Sequence, residues 1–232
     1  MYNFLWQQII TKFYDIKMTA EEKNVLRERW NDMTSFMSET VKEKWWDKIV
    51  KQYSDRPFYN LTHLHNMLQL FDQHKDRLHD RYAVAFAIFF KHLEYDSRST
   101  ETAKLSADQF KKFCSETTFD QEGYVVNLIL ESENNCTDAN LNIGTYGNDD
   151  IHFLIDFDMM VHGENPEKYD KYKSKLRQEY SYLNDKEYKK ERVKVLKLFL
   201  QIPNIYATKE FRDRYEEQAR KNISEEIKSL GE

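Results

Sequence analysis

Turn-forming and cross-linking residues are scarce in this chain. Five glycines and three prolines among 232 residues leave too few turn formers for a protein of strands and tight hairpins. Two cysteines, Cys114 and Cys136, make neither a disulfide framework nor a zinc-ligand cluster, so both are expected as free thiols. No apolar run reaches the roughly 18 residues of a membrane-crossing helix, and none is expected. The N-terminus lacks a basic region followed by an uninterrupted apolar core, which argues against a secretory signal. Asn60-Leu61-Thr62, Asn135-Cys136-Thr137 and Asn222-Ile223-Ser224 then match glycosylation acceptors by chance. The expected setting is intracellular and soluble, in the cytosol or an organelle interior, not secreted. A net charge of −5 lacks the basic footprint of a nucleic-acid binder, so no nucleic-acid partner is expected.

Apolar and charged residues are plentiful. A hydrophobic fraction of 40%, with 15% aromatic, supports a real core, and 32% charged residues suits helices with solvated outer faces. The tryptophans, tyrosines and phenylalanines read as core and interface filling. The expected class is all-α, with one domain because no stretch has linker composition. Thr19-Ala20-Glu21-Glu22 is a capping box, starting a helix near Ala20 whose inner face is Val25, Leu26, Trp30, Met33 and Met37. A helix over 40–53 uses Val41, Trp45, Ile49, Val50 and Tyr53, and Arg56-Pro57 ends it. Helices are expected at 61–75, 80–92, 104–115 and 121–134, then an exposed loop over 137–150. Apolar residues from Ile151 lead into Asp156-Phe157-Asp158, Gly163 and Pro166 mark a turn, and charged helices follow at 167–182, 185–201 and 208–229. His65, His74, His79 and His152 are expected at the surface or rim, and Lys189-Lys190-Glu191-Arg192 as a solvated face.

Chemistry concentrates in three separated stretches: Arg56-Pro57-Phe58-Tyr59-Asn60-Leu61-Thr62-His63-Leu64, Phe89-Phe90-Lys91-His92-Leu93-Glu94-Tyr95-Asp96, and Asp156-Phe157-Asp158-Met159-Met160-Val161-His162-Gly163. Tyr169-x-x-Tyr172, Leu176-Arg177-x-Glu179-Tyr180, Arg192-x-x-Val195-Leu196, Ile205-Tyr206-x-Thr208 and Glu217-x-Ala219-Arg220-x-Asn222 follow in order. From Trp30 to Ile227 this set resembles the predicted metal-dependent HD-superfamily phosphohydrolases, small all-helical proteins. The resemblance implies a single HD-type helical domain over 19–232, with His63 as a metal-ligand histidine and Asp156 or Asp158 as the distal carboxylate.

The chain departs from the family on the chemistry itself. Aligned on Tyr95-Asp96, the family's His-Asp pair falls on Lys91 and His92, and its first histidine on Tyr59. Its Asn-Glu falls on Thr102-Ala103 and its Thr-x-x-His on Ser132-x-x-Asn135. Lysine carries no lone pair for an ion and repels one. The resulting expectation is a pseudoenzyme serving as a structural or interaction subunit, with no catalytic residue, cofactor or metal, and with His63, His92, Asp156 and Asp158 as a vestigial ion site. In the alternative, a phosphohydrolase of nucleotides or other phosphate esters, His63, His92 and Asp158 hold manganese, iron, zinc or magnesium, and Lys91 holds phosphate. A third reading is a phosphate sensor with an anion on Lys91 and His92. Against the ligand role, His63 reads as a core histidine hydrogen-bonded near Asp158, and, without a metal, Lys91 as the counter-charge to Asp156 or Asp158.

Residues 1–18 lie outside the resemblance. Phe4, Leu5, Ile9, Ile10, Phe13 and Ile16 give an amphipathic helical pattern over 3–16. The segment either caps the domain's own core or docks on a protein partner, and partner contact is the expectation.

Overall fold

The computed structural model describes residues 18–231, all helix, turn and irregular chain, with no strand among them. In order the helices are α1 (Ala20–Met33), α2 (Glu39–Ser54), α3 (Leu61–His74), α4 (Arg81–Phe90), α5 (Thr102–Ser115), α6 (Glu122–Glu131), the one-turn α7 (Asp138–Leu141), α8 (Asp150–Met159), α9 (Pro166–Glu179), α10 (Asp185–Gln201) and α11 (Lys209–Ser229). Short 3₁₀ turns lie at Lys75–Arg77, Ser132–Asn134 and Met160–Gly163. None of the described helices is long and apolar enough to cross a membrane. The expected extension over 3–16 lies outside the described residues.

Local chemistry sets the helix starts. Thr19 accepts the Glu22 amide at 3.1 Å while the Glu22 carboxylate accepts the Thr19 amide at 2.8 Å, closing the capping box. Asn60 accepts the amides of Thr62 and His63 at 2.9 and 3.2 Å, and Asp80 accepts that of Ala83 at 2.9 Å. Asn165 with Pro166 at the first helical position starts α9.

Helix α4 is the axis of the core. Every residue from Ala83 to Phe90 is buried, which requires neighbours on all sides. Helices α3, α5, α6 and α8 supply them. Trp30 from α1 meets Phe89 edge-on at 5.3 Å, and Trp45 from α2 meets Phe113 edge-on at 5.6 Å. Aromatic contacts of this geometry add about 0.5–1.5 kcal/mol each beyond burial. Gly163 lets the 3₁₀ turn after α8 press against α11, since a Cβ there would lie 2.5 Å from the Tyr215 Cβ.

Several expectations change. Val25 is 43% exposed, whereas Trp46, next to Trp45, is buried. His65 is buried, because α3 packs on both sides of its apolar stripe. The loop over 137–150 is not wholly exposed. It contains α7, and Asn140 and Asp150 are fully buried. Asn140 donates to the Ile205 carbonyl at 3.0 Å, and Asp150 accepts the His79 and Asp80 amides at 2.7 and 2.9 Å. These polar side chains satisfy backbone groups that no helix serves. Arg192 is no solvated residue either. It is buried and grips Glu226 of α11 at 2.8 and 3.0 Å.

Candidate functional site

Three helix ends converge on one carboxylate. Helix α4 ends at Phe90, and Lys91 and His92 continue from it as a turn, with the Lys91 amide on the Ala87 carbonyl at 2.7 Å. The carbonyls at this end are taken by side chains. Tyr53 donates to Phe89 at 3.0 Å, and the Arg56 guanidinium donates to His92 and, at 2.8 Å, to Leu93. Arg56 lies over the Tyr53 and Tyr95 rings at 5.2 and 5.7 Å. The first turn of α3, held by Asn60, supplies His63, and the last turn of α8 supplies Asp158.

Asp158 is the hub. Its Oδ1 lies 2.7 Å from His63 Nε2, and its Oδ2 lies 3.2 Å from both Lys91 Nζ and His92 Nε2. Lys91 also donates to the Ser132 carbonyl at 3.0 Å. Above the cluster the Tyr59 ring covers the His92 ring at 4.3 Å and touches Tyr95 at 4.5 Å. Glu179 fixes this cover by accepting the Phe58 and Tyr59 amides at 2.8 and 3.3 Å.

Burial alone would raise the Asp158 pKa. The Lys91 ammonium and the two imidazoles outweigh it and hold the carboxyl well below the ordinary carboxylate range. Burial pushes the His92 imidazole down to about 4, against the attraction of Asp158, so it is neutral near pH 7. The neutral His92 imidazole therefore adds no charge to the Lys91–Asp158 pair. An ionised Asp158 has no proton to give, so the 2.7 Å contact is His63 Nε2–H donating to the carboxylate.

Asp156 does not belong to this site. Two residues apart on an α-helix point about 200° apart, so Asp156 leaves α8 on the other side. Its carboxylate accepts the Ala207 and Thr208 amides at 2.8 Å each and the Thr208 hydroxyl at 2.7 Å. It thereby anchors the start of α11, and burial raises its pKa to about 7 against those three donors.

His63, His92 and Asp158 each offer a ligand atom within 4.8 Å of the others. That is enough convergence for an ion with three protein ligands. The fit is poor in charge, however, since the Lys91 ammonium already sits on the same carboxylate oxygen. Sequence reasoning missed the Ser132 carbonyl, the Tyr59 cover and the Arg56 clamp, none of which has a ligand-like residue type.

A groove of about 490 Å³ runs beside the cluster, with His63 and Asp158 in its floor and Lys168, Lys171, Lys175 and Arg214 among its lining. Comparison with known proteins supplies no relative: no family model, curated protein or solved structure matches the chain.

Proposed function

We propose that this chain is a non-catalytic relative of the HD-superfamily phosphohydrolases, acting as a structural or interaction subunit of an intracellular protein assembly. The observation that carries this reading is Lys91 Nζ at 3.2 Å from Asp158 Oδ2. In a working ion site that carboxylate is shared with a divalent cation. Here an ammonium from the chain itself supplies the compensation, and both imidazoles spend their Nε2 atoms on the same carboxylate. Elemental analysis after chelator-free purification tests the reading. Well under one equivalent of manganese, iron, zinc or magnesium is expected, and a stoichiometric ion that is lost in Asp158→Asn would overturn it.

One observation favours a second reading, metal-dependent phosphate-ester hydrolysis: the three donors of His63, His92 and Asp158 within 4.8 Å of one another. A divalent ion held there would make bound water acidic enough to attack a phosphate ester. Lys91 would have to leave Asp158 and His63 would have to turn a lone pair toward the ion. Hydrolysis of p-nitrophenyl phosphate esters with added manganese, abolished in Asp158→Asn, would select this reading.

A further inference from the structure

We propose that the groove beside His63 and Asp158 receives an acidic amphipathic helix of a partner protein. The proposal rests on the non-catalytic reading and names the partner's chemistry. Both walls are helical faces. On α3 the lining side chains of Thr62, Asn66, Gln69 and Gln73 recur every three or four residues, as do Lys168, Lys171 and Lys175 on α9. At 1.5 Å per residue these rows run for roughly 16 and 10 Å. Polar groups are thus strung along a length, whereas a small-molecule site brings a few of them to one point. The same groove is lined by the partly buried apolar side chains of Met160, Val161 and Tyr215, over the buried Met67 and Leu70. Such a strip takes anchors spaced i, i+3 or i+4, and i+7 on an incoming helix.

The charge selects an acidic occupant. Four cations line the groove against two carboxylates, Glu164 and Asp158, and Asp158 is already neutralised by Lys91. Lys168 pairs with Glu164 at 3.0 Å, and Lys171 with Glu167 at 2.7 Å. Among the described residues no carboxylate pairs with Lys175, and Arg214 rests over the Tyr215 ring at 5.0 Å. On a chain of net charge −5 this is a local reversal of sign, suited to steering an acidic partner. Residues 1–17 are a poor occupant, because Lys12 and Lys17 outnumber Asp15.

The test uses the full chain and two fluorescein-labelled synthetic peptides of about four helical turns. Both carry leucines at i, i+3, i+4 and i+7, with glutamates at the remaining charged positions in one and lysines in the other. By fluorescence polarisation the glutamate peptide should bind, more weakly as salt rises, and the lysine peptide should not. Lys168→Glu/Lys171→Glu/Lys175→Glu should weaken binding at least about tenfold, and Arg214→Glu, on a different helix, several-fold. Circular dichroism confirms that the variants fold. No binding of the glutamate peptide at millimolar concentration, equal binding of both peptides, or unchanged affinity in both variants would overturn the proposal. So would ATP that displaces the peptide at one equivalent without metal, which would make this a phosphate site. Loss of a dimer in the variants, seen by light scattering, would make the occupant a second copy of this chain. Metal content is independent of all these outcomes, so this proposal and the one it rests on fail separately.

Discussion

Asp156 and Asp158 stand two residues apart on α8, and both are buried, yet their surroundings are opposite. Asp158 faces a cation and two imidazoles, which hold its pKa well below the ordinary range. Asp156 faces two backbone amides and a hydroxyl, and burial still raises its pKa to about 7. Dipolar donors satisfy a carboxylate's lone pairs without cancelling its charge, while an ammonium cancels the charge. The first arrangement ties two chain segments together. The second closes an ion-like site with the protein's own cation.

Lys91→Met breaks this contrast most severely, by making Asp158 a buried carboxylate without a cation. Removing one partner of a buried pair costs on the order of 3–5 kcal/mol, so the urea midpoint at pH 7 should fall sharply. Lys91→Met/Asp158→Asn should recover part of that loss, since neither charge remains. An unchanged midpoint in Lys91→Met would mean that the ammonium reaches solvent instead.

Difference profiles against pH sharpen the comparison further. A folded-state pKa raised from 3.8 to about 7 means that the folded chain holds the Asp156 proton more tightly than the unfolded chain does. Its contribution to stability is complete below about pH 4 and is lost as pH rises toward 7. Parent minus Asp156→Asn, measured by urea unfolding, should therefore decline from pH 4 to 7. For Asp158 the depressed pKa reverses the sign. Parent minus Asp158→Asn should stay flat above about pH 4 and shrink as pH falls below it. Parallel profiles for the two positions would refute the contrast.

The smallest effect belongs to His92. Its contacts with Asp158 are long, 3.2 and 3.3 Å, and Lys91 remains to balance the charge. His92→Ala should cost about 1–2 kcal/mol, from one hydrogen bond and the ring under Tyr59. A loss as large as that of Lys91→Met would mean that the imidazole, and not the ammonium, neutralises Asp158.

Elements with local causes were legible in the chain. The capping box at Thr19, the break at Arg56-Pro57 and the apolar run of α4 each act through neighbours in sequence. Misreadings arose where a distant partner decides. Arg192 lies in a lysine-rich run but meets Glu226 34 positions away. Val25 continues the apolar spacing of α1, yet it is left 43% exposed. Asp156 and Asp158 were interchangeable candidates until the rotation of α8 separated them.

Composition and periodicity alone determined that this protein is helical and where most of its helices begin and end, while His63, Lys91, His92 and either Asp156 or Asp158 became candidates through the family resemblance. Residue type and short-range spacing suffice for the helices, because helix caps and apolar stripes operate within a few residues. Tertiary structure decided that Lys91 pairs with Asp158, that Asp156 anchors α11, and that the lysines of α9 line one groove with the polar row of α3. His63 and Asp158 are 95 positions apart and His92 and Asp158 66. Contacts over such separations depend on how whole helices are rotated and packed, which no local spacing specifies.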